Sequence, residues 1–179
     1  MVFAHDTEIA LSAAAELVNT AADRDGLPDI DALDAFLTKW GWSGRRDRTE
    51  VELAEIRALR PRLRRFWETG RDGVAELANE MLREFRALPQ LVKHDEWDYH
   101  LHATTLDAPL VARMAVEAAM AMVDVIRTDE LSRLRTCDRP DCDDVLIDLT
   151  RNRSKRYCDL SCSNRAAVSA YRSRQSRAG

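Results

Sequence analysis

All four cysteines of the chain fall between Cys137 and Cys162, in the pattern C-x4-C-x15-C-x3-C. Two close pairs joined by a short segment can converge on one tetrahedral ion, and thiolate sulfur is the ligand that zinc takes in structural sites. The competing readings are disulfides, four unrelated buried thiols, and iron–sulfur or redox use. Confinement of every cysteine of a 179-residue chain to one 26-residue window argues against unrelated thiols. Cys137, Cys142, Cys158 and Cys162 are therefore the expected ligands of one structural Zn2+ per chain. A catalytic zinc keeps only three protein ligands and a water, whereas four thiolates close the site. For so small a unit the ion dominates folding, contributing on the order of 10–16 kcal/mol in zinc-finger peptides.

The sequence after the cluster is basic. Between Arg151 and Gly179 eight basic residues stand against one acid, Asp159, a net +7; the whole chain carries -4, so residues 1 to 150 carry -11. An acidic body and a basic end point to a polyanionic partner for the end alone. With 45% hydrophobic residues the body can fold around a conventional core. No positively charged start precedes an apolar run at the N-terminus, and the most apolar stretch, Leu110 to Val125, is broken by Arg113, Glu117 and Asp124. A cytoplasmic location with no membrane partner is expected. In that reducing compartment paired cysteines are metal ligands sooner than disulfides.

Along the body, Ile9, Ala13, Leu17 and Val18 recur at helical spacing and predict a helix from Asp6 to about Ala22, followed by a turn over Asp23 to Pro28. Ile30, Leu33, Phe36 and Leu37 predict a second helix closed by Gly41 in a left-handed cap. Thr49-x-x-Glu52 has the spacing of a capping box, and Pro61 should bend or interrupt the helix that follows. Val74, Leu77, Ala78, Met81, Leu82, Phe85 and Leu88 form a helical stripe that Pro89 ends. Trp97, Tyr99 and Leu101 alternate with Asp98, His100 and His102, a period-2 pattern for a strand paired with Gln90 to Lys93. A long helix is predicted over Asp107 to Arg127, and Asp129 to Arg135 leads into the first cysteine pair with no Gly/Ser linker, which argues for a finger held against the body.

Within the finger, Pro140 sets a turn between Cys137 and Cys142, and Val145 to Leu149 is β-prone. Arg151 to Lys155 reads as a polar turn, so a short hairpin is expected to connect the two ligand pairs. Ala166, Ala167, Ala170 and Tyr171 have helical spacing, which places Cys158 and Cys162 at a helix N-terminus, where the dipole favours thiolate. The expected fold class is mainly α with a small β-hairpin: a helical domain over residues 1–130 and a treble-clef-like or ribbon-like zinc finger over 131–179.

These residues also carry a resemblance. Asp148-Leu149-Thr150-Arg151-Asn152, Ser154-Lys155-Arg156-Tyr157-Cys158, Cys162-Ser163-Asn164-Arg165 and Tyr171-Arg172-Ser173-Arg174 together resemble the CGNR-type zinc finger. Leu17-Val18-Asn19-Thr20 and Leu33-Asp34-Ala35-Phe36-Leu37-x-x-Trp40 are similar to the ABATE domain that precedes such fingers. Proteins of this family are regarded as bacterial transcription regulators linked to stress, so the resemblance implies DNA binding. Ser163 stands where the family's naming motif has Gly; the sulfurs are unchanged, and metal ligation is expected to survive.

Candidate nucleic-acid contacts are Arg151, Asn152, Arg153, Lys155 and Arg156 in the polar turn, and Asn164, Arg165, Arg172 and Arg174 on the final helix, where Arg165 and Arg172 share a face. The alternative for these arginines is a solvated surface that offsets the charge of a four-thiolate zinc site. His94, His100 and His102 admit three readings: a second metal, an organic-ligand pocket, or ordinary core and surface histidines. Trp40, Trp42, Trp67 and Trp97 are expected to fill the core.

The leading function is a zinc-containing DNA-binding transcription regulator, DNA favoured over RNA, whose body senses a small-molecule effector or partner or oligomerises. A homodimer or second surface is expected, because one finger offers few base contacts. The alternative is an RNA-binding or protein-docking finger. Neither a phosphate-binding glycine loop nor a nucleophile–base pair is present in the sequence, so no enzymatic activity is expected.

Overall fold

Leu11, Ala14, Leu17 and Val18 share one side of α1 (His5–Asn19), and burying that side sets where the helix lies. The computed structural model describes residues 2–22, 25–94 and 97–178, and of residues 94, 97, 98, 173 and 176–178 the backbone alone. Asp23, in the expected first turn, and the side chains of His94 and Trp97 thus lie outside the described residues. The further elements are α2 (Ile30–Lys39), α3 (Glu50–Glu68), α4 (Arg71–Glu84), β1 (Gln90–His94), β2 (Trp97–His102), α5 (Leu110–Arg127), a 3-10 turn (Leu131–Arg133), β3 (Leu134–Thr136), β4 (Val145–Ile147) and α6 (Leu160–Ala178). The fold is mainly helical with small hairpins, as the sequence predicts. No helix among the described residues is long and apolar enough to cross a membrane.

Helix α5 is the hub. It packs against α1, α3 and α4, and its alanines at 112, 115, 118, 119 and 121 are all buried, so neighbouring backbones come close on several sides. Around it Leu33 and Leu37 of α2, Leu53, Ile56, Leu59, Leu63 and Phe66 of α3, and Val74 and Met81 of α4 complete one core. Gly41 follows α2 with φ +67, the left-handed cap that its sequence position predicts.

Several local expectations need correction. Pro61 neither bends nor ends α3, which runs unbroken through it. The carbonyl that a residue 61 N–H would have bonded belongs to Arg57, and it accepts instead from Nε of Arg60 at 3.3 Å. The capping box is half formed: Thr49 Oγ1 accepts from Glu52 N, but the Glu52 carboxylate reaches past Thr49 to the N–H groups of Asp47 and Arg48, both at 3.0 Å. Helix α4 stops at Glu84 rather than at Pro89, because Arg86 turns left-handed (φ 51) and Ala87 N donates back to Leu82 O at 2.9 Å. Leu88 consequently leaves the stripe and is 71% exposed.

The β1–β2 hairpin forms as predicted, with Leu91 opposite Leu101 and Val92 opposite His100. Its apolar side is nevertheless the outer one: Leu91 is 68% and Tyr99 71% exposed. The histidines turn inward, where His100 and His102 line a cavity together with Trp40 and Trp42. Those two tryptophans are therefore walls as well as core filling.

The second hairpin departs furthest from expectation. Strand β4 pairs with β3, which precedes Cys137, so the hairpin encloses the first cysteine pair instead of connecting the two pairs. A three-residue strand with both faces covered explains the choice. Val145 and Ile147 enter the core of the body, while Leu146 between them packs with Cys137 and Cys162. At the outer edge of β4, Asn19 at the end of α1 donates to Val145 O (2.9 Å) and accepts from Val145 N (2.8 Å). Trp67 Nε1 of α3 donates to Leu146 O at 2.9 Å. The finger is thus held against the body through β4, with β3 packed on α3 and Arg64 Nη2 donating to Asp143 O at 2.8 Å.

Asn19→Ala removes both bonds to Val145 while leaving its backbone N–H and C=O covered. The expected loss of stability is about 2 kcal/mol, read as a lower urea midpoint with zinc retained. An unchanged midpoint would show that the edge pairing contributes nothing.

Candidate metal centre and nucleic-acid surface

Four sulfurs arranged tetrahedrally around zinc at about 2.3 Å stand about 3.8 Å from one another. In the finger all four sulfurs lie within 4.8 Å of one another, and Cys142 Sγ is 3.7 Å from both Cys158 Sγ and Cys162 Sγ. These spacings fit one ion and are far beyond the roughly 2.05 Å of a disulfide; all four thiols are free. The cluster is a zinc site of the closed, four-thiolate kind.

Local structure delivers each sulfur. Cys137 N donates to Asp144 O (2.8 Å) and Cys142 N to Arg139 O (3.1 Å), which tightens the Pro140 turn into a knuckle at the tip of the β3–β4 hairpin. Cys158 stands two residues before the start of α6 and Cys162 lies in its first turn, where Asp159 Oδ1 accepts from Cys162 N at 2.6 Å. A knuckle in a hairpin followed by a ligand-bearing helix start is the treble-clef-like arrangement of the two expected forms.

Two of the thiols are poor acids as they stand. Burial pushes Cys142 up to about 12 and also raises Cys158. Burial opposes ionisation of Cys137 too, but backbone N–H groups of Cys158 and Arg139 outweigh it and hold that thiol below its ordinary value. Neighbouring thiolates repel one another, and a dication removes that obstacle. Zinc, when bound, supplies the positive charge that lets the knuckle and the α6 start close on each other.

Apart from its place in the motif Asp148-Leu149-Thr150-Arg151-Asn152, nothing in the sequence marked Asp148 as the organiser of the intervening loop. Asp148 is completely buried. Its carboxylate accepts from Thr150 N (2.9 Å), Thr150 Oγ1 (2.5 Å) and Lys155 N (2.9 Å), with Arg135 Nη1 at 3.7 Å. Burial alone would raise this carboxyl, but the Thr150 and Lys155 donors and the Arg135 charge hold it below its usual range. Beneath it, buried Arg133 donates from Nη1 to Asp148 O and Thr150 O, and from Nε to Glu130. One acid and one arginine thereby fix the turn that carries most of the candidate contacts.

Those contacts separate into two groups. Arg153 is paired with Glu130 at 2.9 Å and Arg156 with Asp138 at 2.7 Å, the latter guanidinium also lying over the Tyr157 ring. Lys155 is half-buried. Arg151 and Asn152 are exposed at the turn, and Asn164, Arg165, Arg172 and Arg174 are exposed along α6. Arg151, Arg165, Arg172 and Arg174 have no ion pair among the described residues. Beyond Ala166 every α6 side chain described through Gln175 is exposed, so these residues leave the helix surface open to a partner. At about 100° per residue Arg165 and Arg172 differ by only about 20°, whereas Arg174 falls about 160° from Arg172. The arginines therefore flank the helix on two sides.

A family model for the CGNR zinc finger matches residues 133–175. The ABATE model, described as "Putative stress-induced transcription regulator", matches residues 11–129. No curated protein matches the chain.

Proposed function

The chain belongs to the ABATE family and ends in a CGNR zinc finger, and from that premise we propose that it is a cytoplasmic transcription regulator whose finger binds duplex DNA through α6. The observation that carries the reading is the exposed helix with unpaired arginines on both flanks. The major groove, about 12 Å wide, admits one α-helix. Arg165 and Arg172 would then meet the phosphates of one strand and Arg174 those of the other. Between the flanks, Asn164, Val168, Tyr171 and Gln175 fall within an arc of about 40–80° and would face base edges. Arg151 at the loop adds a further phosphate contact, while Arg153 and Arg156 serve first as braces within the protein. Selection of bound sequences from random duplex DNA, run beside single-stranded RNA, tests this reading; enrichment of a duplex motif supports it.

A second reading rests on the same helix. Leu160 (82%), Val168 (49%) and Tyr171 (55%) are exposed along that arc, an apolar line suited to a protein surface. A homodimer would reconcile the two, since one finger makes few base contacts, and the body would then supply oligomerisation or sensing of a small-molecule effector.

Four unpaired arginines neutralising about four phosphates give an expected slope of about -3.6 for log affinity against log salt, per chain. Replacing Arg165 and Arg172 by Ala should flatten the slope by about 1.8, as measured by fluorescence anisotropy of a labelled duplex across KCl concentrations. A salt-independent interaction would leave protein docking as the better reading.

A further inference from the structure

Between α1, α5, β2 and the loops at 40–43 and 103–106 lies a cavity of about 150 Å³. A cavity of about this size accepts a benzene ring in a protein interior. Its apolar walls include Trp40, Trp42 and Met120, and Nε1 of Trp40 is buried with no hydrogen-bond partner among the described residues. Three carboxylates, those of Asp6, Glu117 and Asp124, border the same space.

Around the cavity the three carboxylates stand with two basic side chains, Arg113 and His102. Arg113 is buried beside it, but its Nε, Nη1 and Nη2 already donate to the carbonyls of Ala108, Ser43 and Arg45. Its guanidinium therefore holds the loop at residues 43–45 and is committed away from any anionic ligand. His102 Nδ1 stands 3.2 Å from Glu117, and His102 Nε2 lies 3.0 Å from His100 Nε2. Asp124 accepts from Thr7 Oγ1 at 2.7 Å and Asp6 from Thr7 N at 2.9 Å, which leaves lone pairs on both carboxylates. Aromatic faces beside carboxylates form the chemistry that recognises an organic ammonium.

We propose that this cavity binds a small organic cation, with the ammonium group beside Asp6 and Asp124, which meet at Thr7, and an apolar body of benzene size against Trp40 and Trp42. The site gives the sensing role of the body a ligand class, and rests on that role only for the consequence at the finger. Binding itself is measured without nucleic acid, so failure here and failure of the DNA reading are separate results.

The test is calorimetric titration of the full, zinc-loaded chain with benzylamine, benzyl alcohol and benzoate, which share a ring and differ in charge. Benzylamine is expected to saturate with a Kd of about 1 mM, at least about tenfold tighter than the other two. Asp124→Asn should weaken benzylamine about tenfold, and Met120→Trp, which fills the cavity, should remove binding with circular dichroism unchanged. Because the comparison of the three probes needs no variant, it stands even if Asp124→Asn fails to fold. Equal binding of benzyl alcohol, tighter binding of benzoate, or no saturation by any probe up to about 20 mM would overturn the proposal.

Discussion

Cys137→Ser is expected to leave the chain without zinc and with α6 melted. Beyond Ala166 every α6 side chain described through Gln175 is exposed, and a 19-residue helix of this kind is marginal in water without an anchored start. That anchor is the metal-held segment from Cys158 to Cys162. Loss of α6 removes about a fifth of the helical signal in far-ultraviolet circular dichroism, judged from the lengths of the six helices. Metal content should fall from one equivalent to almost none. The helical body should still unfold cooperatively, at a lower midpoint, because Val145 and Ile147 belong to its core. A zinc-free variant with full helical signal would show that packing, not metal, holds the finger.

Asp148→Ala should disrupt the loop between the ligand pairs almost as severely. It strands three donors and leaves Arg135 without its buried counter-charge, a change expected to cost about 3–5 kcal/mol. Native-state hydrogen exchange at Thr150 and Lys155 would accelerate by at least about a hundredfold, with zinc affinity falling in parallel. The pH dependence has a definite sign. The folded carboxyl lies below its unfolded value of about 3.9, so its stabilisation is complete above that pH and is lost as pH falls through the lower, folded value. Asp148→Asn should remove this acid-side loss and retain part of the hydrogen bonding. Exchange rates in Asp148→Ala equal to those of the unmodified protein would rule out its organising role.

The metal ligands were readable because chemistry restricts them: only a few residue types hold zinc, and their spacing survives any detail of folding. Helices α1, α2 and α5 were readable from periodic burial. Errors arose where a local rule was overridden by a partner distant in sequence or by an unannounced side chain. Arg60 repaired the defect that Pro61 creates, and no propensity encodes that repair. Arg86 took the left-handed conformation normally left to glycine, so α4 ended where its hydrophobic stripe did not. Alternation correctly paired β2 with β1 but could not say which face would be inward, because a cavity with charged walls reversed the usual preference. The strand partner of β4 was missed because both of its faces are buried, against two different cores, and such a strand carries no alternation to read. Ion pairing of Arg153 and Arg156 depended on Glu130 and Asp138, 23 and 18 residues away.

The shared strand bears on how such a protein can change over evolution. The two family matches meet between residues 129 and 133, as if a regulator could exchange its finger like a cartridge. Packing places the seam elsewhere, because β4 donates Val145 and Ile147 to one side and Leu146 to the other. A transplanted finger would have to bring an apolar pair of the right volume, present its strand edge to Asn19, and offer a carbonyl to Trp67. Recombination at residue 130 alone would more often expose a greasy gap than yield a new specificity. Diversification is thus steered toward α6, whose exposed side chains beyond Ala166 can vary without touching the body.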